Sequence, residues 1–385
     1  MTRSEITRRR LRSQRIEVPE GSTAGGGGIA AVVSHLGAVQ AQDYPAAKWA
    51  VALRTPGARD GAATDAPATD AAVERAISDR EIVRTWPMRG TLHFVAAADA
   101  RWITELLAPR VVAGTAARQR QLGLDAAQVA RAEDVFADAL RGGGRLTREG
   151  MYDALARGGV DPDGQRGYHL LSRAAMDGVI CFGPHDGKQP TFVLLDEWVP
   201  GAPRLEDRDA ALAALARRYF TGHGPATLAD FCWWSGLTAT DAKRGVEAAG
   251  ADLAAATDDA ARACWMSPAV ADAADAAAPE GGDGVHLLPA YDEYLLGYRD
   301  RSAALDPGHA AKIVPGGNGV FAPILVVRGR VVGTWKRQAA TRTRPATAAV
   351  TPYPFEPLAP ADAFAVDEAA RRYAAFLGGG SSPPT

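Results

Sequence analysis

The chain has 385 residues, of which 47% are apolar, and its 43 Lys and Arg nearly cancel 45 Asp and Glu. That length exceeds one compact core and predicts two to four packed units, while the balanced charge gives no general case for or against a polyanion partner. No stretch approaches the ~20 consecutive apolar residues of a membrane span, and Cys181, Cys232 and Cys264 are too far apart for a metal or redox motif. The thiols read as buried groups in a reducing compartment, which predicts a cytoplasmic protein. The seven His residues show no metal-ligand spacing, so neither metal nor cofactor is expected.

The basic residues are uneven. Arg3, Arg8, Arg9, Arg10, Arg12 and Arg15 crowd the start, and Lys336, Arg337, Arg342 and Arg344 crowd the end. These runs predict a local cationic surface on a neutral protein, or simply solvated charge. The run Gly25 to Gly28 lacks the Lys-Ser/Thr of a phosphate loop and reads as a flexible loop.

Helices are predicted at about 29 to 37, 45 to 54 and 71 to 77. The first ends at Gly37, and the second begins with Pro45 in its first turn. Between them lies Gln40-Ala41-Gln42-Asp43. Residues i and i+2 point about 200° apart on a helix, so both amides reach one ligand only on an irregular connector. Two readings stay open there. The amides converge on a ligand, or they satisfy backbone groups while Asp43 caps the next helix. Ile82 to Trp86 and Gly90 to Val95 flank Pro87-Met88-Arg89 as a hairpin should. Helices ending in a β-hairpin describe a winged-helix unit.

Leu146 to Ala156, His169 to Met176, Val179 to Phe182 and Thr191 to Leu195 repeat the helix, helix, hairpin order. A third copy is predicted from Leu212 to Tyr219, Thr227 to Phe231 and Thr240 to Ala248, with its wing in the Ala/Asp-rich stretch near 251 to 280. From Val285 the texture turns strand-like, with Arg328-Gly329 a tight turn. The predicted fold is α+β: winged-helix modules at 1–140, 141–204 and 205–283, a β-rich domain at 284–377, and a disordered tail at 378–385.

Four stretches carry a resemblance: Val39 to Pro45; Arg84 to His93, reading R-T-W-P-M-R-G-T-L-H; Leu288 to Tyr294; and Gly329 to Trp335. Together the chain resembles the bacterial winged-helix DNA glycosylases that unhook interstrand crosslinks, the AlkZ/YcaQ-like group. The resemblance implies tandem winged-helix modules around a cationic cleft for duplex DNA, and removal of alkylated purines. It aligns Gln40 and Gln42 with the catalytic pair of the azinomycin-resistance branch, whereas the housekeeping branch has an acid at the second position. Asp43 is a reserve candidate for drawing a proton from water.

Candidate DNA contacts are Arg8, Arg9, Arg10 and Arg12 of the basic arm, Tyr44, Arg89 and His93, and Lys336 with Arg337. Trp86 and Met88 are expected in the core. Asp292, Arg299 and Asp300 are expected to form an ion-pair set. The expected partner is double-stranded DNA with alkylated or crosslinked purines, bound by a monomer. Two alternatives are a non-catalytic winged-helix regulator, and modules that have exchanged DNA for a small molecule or protein.

Overall fold

The computed structural model describes residues 1–17, 27–59, 62–272, 284–338 and 350–378. One order of elements occurs three times: helix, two-residue strand, helix, helix, hairpin. The first copy comprises helix Ile29–Leu36, strand Val39–Gln40, helices Tyr44–Ala52 and Asp70–Ser78, and hairpin Ile82–Met88/Thr91–Ala96. The second comprises Ala126–Leu140, Leu146–Thr147, Arg148–Arg157, Arg166–Met176 and Ile180–Asp186/Gln189–Leu194. The third comprises Arg208–His223, Ala226–Thr227, Leu228–Ser235, Ala239–Ala249 and Ala254–Thr257/Ala263–Met266.

Local chemistry accounts for these boundaries. Gly37 stops the first helix with φ 78, a backbone state that favours glycine. Asp43, Thr69, Thr147, Thr227 and Thr238 each cap a helix by accepting a backbone N–H. Arg89 and Gly90 both have positive φ, the requirement of the two-residue turn that matches hairpin twist.

The structure departs from the sequence reading in several places. The second copy starts with helix Ala126–Leu140, so the expected boundary at 141 cuts through the repeat. Helix Ala97–Gln121 links the first two copies. The polar insertion after Leu53 is a hairpin, Pro56–Arg59/Ala62–Pro67. The hairpin of the third copy is short but formed, and the expected segment beyond Asp272 lies outside the described residues, as do Gly25, Gly26 and residues 379–385.

The first two copies share one sheet. Its strand order runs from Val39–Gln40 through Thr91–Ala96, Ile82–Met88, Ile180–Asp186 and Gln189–Leu194 to Leu146–Thr147. Arg84 pairs with Phe182 where the two hairpins meet. The C-terminal unit is a four-stranded antiparallel sheet, Val285–Leu288, Ile324–Val327, Arg330–Arg337 and Val350–Pro354. Helix Pro360–Phe376 packs against it, which the β-rich expectation did not include.

Burial makes the first copy the hub. Its Val33, Trp49 and Val51 share a core with Leu287, Trp335 and Phe376 of the C-terminal unit. Its Val83, Met88 and Val95 join Tyr219, Phe231 and Trp234 of the third copy. Its Trp86 and Leu92 join Phe136, Leu171 and Phe192 of the second. The N-terminal helix Arg3–Ser13 packs against the third copy: Arg10 donates to the Pro225 carbonyl at 3.0 Å and Ser13 to the Gly224 carbonyl at 2.6 Å. Among the described residues no helix is long and apolar enough to cross a membrane.

Candidate active site

The strand Val39–Gln40 and the turn after it form a pinned connector. Gln40 pairs across the sheet with His93. The Gln40 N–H donates to Glu293 Oε1 at 3.0 Å. The Ala41 N–H donates to the Leu92 carbonyl at 2.7 Å, and the Ala41 carbonyl accepts from Arg84 Nε and Nη2 at 3.1 and 2.9 Å. The backbone of Gln40-Ala41-Gln42 is therefore held from three directions before any ligand arrives.

The two carboxamides extend this network. Gln40 Oε1 accepts the Gln42 N–H at 3.1 Å, and Gln42 Oε1 accepts the Leu92 N–H at 3.3 Å. Since only the amide oxygen accepts from a backbone N–H, both flips are fixed. Gln40 is 6% exposed, whereas Gln42 stands at the surface. Asp43 also stands at the surface, and its Oδ1 caps helix Tyr44–Ala52 by accepting from Ala46 N at 3.1 Å. The backbone-satisfying reading of these side chains is thus realised in the fold, and it also aligns Gln42 and Asp43 on one exposed corner. Neither role excludes chemistry, because an amide oxygen has two lone pairs and a carboxylate two oxygens.

Aromatic residues and cations surround that corner. Tyr44 donates to Glu74 Oε2 at 2.7 Å and stacks on His185 of the second hairpin at 4.1 Å. Burial, reinforced by the Glu74 hydrogen bond, pushes the Tyr44 phenol up. The Arg84 guanidinium lies 5.1 Å from the Tyr44 ring centroid and 4.8 Å from that of Phe182. Burial pushes Arg84 down to about 10, which leaves it charged at neutral pH. Tyr291 faces the same corner: burial, then the Asp43 carboxylate, pushes its phenol up.

Behind the connector lies a polar cluster. His93 is fully buried, its Nδ1 bonded to the Thr91 carbonyl at 3.0 Å and its Nε2 to Arg89 Nη2 at 3.3 Å. Burial first, then the Arg89 charge, pushes it down to about 3. Glu293 is 1% exposed, and its Oε2 accepts from Trp234 Nε1 at 3.0 Å and faces His223 Nε2 at 3.3 Å. Burial is the largest single influence on Glu293 and pushes it up. The His223 hydrogen bond and the charges of His223, His93 and Arg89 outweigh it and hold the carboxyl below its usual range.

Several expected DNA contacts sit elsewhere. His93 has no exposed surface with which to meet a phosphate. Arg10 is buried, with its guanidinium 3.6 Å from the Tyr298 ring centroid. Arg9 reaches the Met266 sulfur at 3.3 Å, and Arg8 and Arg12 are half-buried. Arg89 packs inward against Gly236 of the third copy. Lys336 and Arg337 are exposed on the C-terminal sheet. Trp86 and Met88 lie in the core as expected. Asp292 pairs with Arg54, through contacts of 2.7 and 2.9 Å, and not with Arg299; Asp300 pairs with Arg262. The sequence reading did not assign Glu293, Trp234, His223 or Arg84 to the site. The Asp292-Glu293-Tyr294 motif was the available signal for the first of these.

The chain belongs to the AlkZ-like DNA glycosylase family, a class of nucleic-acid-repair enzyme, whose sequence pattern matches residues 33–376. Members of that family are hydrolases. The chain is 28% identical, over 314 residues, to the interstrand DNA cross-link repair glycosylase of Streptomyces sahachiroi, spanning 79% of this chain and 81% of that protein. Its fold is similar to the solved structure of the Streptomyces sahachiroi DNA glycosylase AlkZ, with a TM-score of 0.78, 26% identity, and coverage of 98% of this chain and 97% of the other.

Proposed function

We propose that this chain is a monofunctional DNA glycosylase that hydrolyses the N-glycosidic bond of N7-alkylated purines in duplex DNA, including those in interstrand crosslinks. It acts as a cytoplasmic monomer without metal or cofactor. The three repeats are winged-helix modules, and their element order supports that assignment. The pinned Gln40-Ala41-Gln42 connector beside an exposed Asp43 is the observation that carries the reading.

The chemistry suits neutral amides. An N7-alkylated guanine is already cationic and departs neutral, so no strong acid must protonate it. What remains is to stabilise an oxocarbenium-like sugar and to place a water beneath C1′. Fixed dipoles and positioning supply that. Gln42 stands at the surface, and its oxygen, with one lone pair engaged by the Leu92 N–H, keeps a second for water. Gln40, largely buried, holds the Gln42 backbone through its own amide oxygen. Glutamine is a very weak base, so the Asp43 carboxylate is the group able to draw the water's proton.

Incubation with duplexes carrying N7-methylguanine or a nitrogen-mustard crosslink should release free modified base and leave abasic sites. Gln42→Ala should slow single-turnover release on the order of a hundredfold while duplex affinity changes little. Abasic sites no higher than background at excess enzyme would overturn the proposal. A preferred operator emerging from random duplexes would favour the regulator instead.

A further inference from the structure

Glu293 lies in the C-terminal unit, 253 residues from Gln40, yet it is the hydrogen-bond acceptor for the Gln40 backbone. Its other oxygen is claimed by the third repeat: Trp234 Nε1 at 3.0 Å and His223 Nε2 at 3.3 Å. One carboxylate therefore joins three parts of the molecule at the connector. We propose that Glu293 is a positioning residue for base excision, setting the placement of Gln40 and Gln42 from the third repeat and the C-terminal unit.

Three features give the joint its rigidity. First, Glu293 is 1% exposed, so water cannot replace a lost partner without cost. Second, His223 is itself fixed: its Nδ1 bonds to the Tyr219 carbonyl at 3.2 Å, its ring stacks on Tyr219 at 4.7 Å, and its carbonyl accepts from Tyr298 at 2.6 Å. Third, Gly297, one turn after Glu293, lies close against the same histidine, since a Cβ there would be 2.7 Å from both the Glu293 carbonyl and His223 Cδ2.

The donor count explains why a carboxylate stands here. Gln40 N–H, Trp234 Nε1–H and the His223 edge approach two oxygens on opposite sides. A glutamine has one oxygen, so Glu293→Gln must turn an amide N–H₂ toward either the Gln40 N–H or the Trp234 N–H. One buried donor is then opposed by another, and the connector or the third repeat must move. A displacement of about 1 Å at reacting groups costs up to roughly a hundredfold in rate.

The proposal rests on the glycosylase reading, and the experiment separates the two. Single-turnover release of N7-methylguanine from a duplex is measured for the full-length wild type, Glu293→Gln, Trp234→Phe, Gln42→Ala and the Glu293→Gln/Gln42→Ala double variant. Duplex affinity is measured alongside. Glu293→Gln should be slowed roughly ten- to hundredfold with duplex affinity within about twofold of wild type. Trp234→Phe, which keeps the Gln40 contact and removes one anchor of the carboxylate, should be slowed less. The double variant should match Gln42→Ala, because a residue that acts through the connector has nothing left to place.

Release by Glu293→Gln at the wild-type rate overturns the proposal, as does a double variant whose losses simply add. Should Glu293→Gln not fold, the same criteria apply to Trp234→Phe. A wild type that releases no base overturns the glycosylase reading, and amide hydrogen exchange then decides the positioning. Faster exchange of the Gln40 N–H in Glu293→Gln sustains it, and unchanged protection overturns it.

Discussion

Arg84 donates twice to the Ala41 carbonyl, from Nε at 3.1 Å and from Nη2 at 2.9 Å. The carbonyl belongs to the residue between the two glutamines, and the guanidinium lies close to the Tyr44 and Phe182 rings. A planar fork can make this double contact and a lysine cannot. Arg84→Lys should therefore retain charge and lose placement: base release falls roughly tenfold while duplex affinity holds. The same variant should lose about 1–3 kcal/mol of stability, because a buried carbonyl loses its donors. Chemical denaturation together with single-turnover kinetics checks both effects. Unchanged kinetics in a destabilised protein would separate Arg84 from the connector.

Trp49 joins the first repeat to the C-terminal unit. Its Nε1 donates to the Leu287 carbonyl at 2.8 Å, and its ring lies 5.2 Å from Tyr373 and 5.1 Å from Phe376. Trp49→Ala removes a buried ring from a core shared by two units. The expected cost is about 3–5 kcal/mol, read as an earlier denaturant midpoint. Trp49→Phe keeps most of the volume and leaves the Leu287 carbonyl without that donor, so it should cost about 1–3 kcal/mol. Equal losses in the two variants would assign the stability to the hydrogen bond alone.

Much of this arrangement could be read from the chain, and the failures have common physical causes. The hairpin was legible because β-branched and aromatic residues flank Pro87-Met88-Arg89, but its turn is narrower than that reading: Pro87 and Met88 belong to the first strand, and Arg89 and Gly90, both at positive φ, make the turn. The connector was legible because Gly37 and Pro45 bracket it. Helix Ala97–Gln121 was not: its first half is buried, with Trp102, Ile103 and Leu106 in the core, while its second half is largely exposed, so no single stripe runs along it. Arg10 read as part of a cationic arm, although its spacing from buried Ile6 places it on the same helix face. Glu293 was hidden for another reason. A hydrogen bond spanning 253 residues leaves no periodicity in sequence.

Acid should weaken the fold through its buried histidines. His93 is pushed down from 6.5 to about 3, first by burial and then by Arg89, and His35 is pushed down to about 4, first by burial and then by Arg15. In the unfolded chain both return to an ordinary value of about 6.5. Between the folded and unfolded values only the unfolded state takes up the proton, so stability rises with pH up to about 6.5 and is lost on acidification. Glu133, raised to about 7 chiefly by burial, acts with the opposite sign between about 4.5 and 7. A difference measurement therefore isolates one histidine. Glutamine at position 93 supplies a donor for Thr91 and an acceptor for Arg89 but does not titrate. Below pH 6.5, His93→Gln should gain on wild type by up to about 1.4 kcal/mol per pH unit. Parallel stability profiles for the two proteins would show that His93 is not held neutral by the fold.

Salt dependence distinguishes cations that serve DNA from cations that serve the fold. Lys336 and Arg337 are exposed at the end of strand Arg330–Arg337, whereas Arg10 is buried against Tyr298 and the Pro225 carbonyl. A side chain that neutralises a phosphate releases a counterion, so its loss lowers the slope of log affinity against log salt by about 1. Lys336→Ala and Arg337→Ala should each weaken duplex binding with little regard to sequence and flatten that slope by about 1. Arg10→Ala should leave the slope alone and instead lower the thermal midpoint, since it strands a buried carbonyl and exposes the Tyr298 face. Binding isotherms from about 50 to 200 mM salt read the first effect. An Arg10→Ala slope reduced as far as that of Lys336→Ala would return the N-terminal helix to the DNA-binding surface.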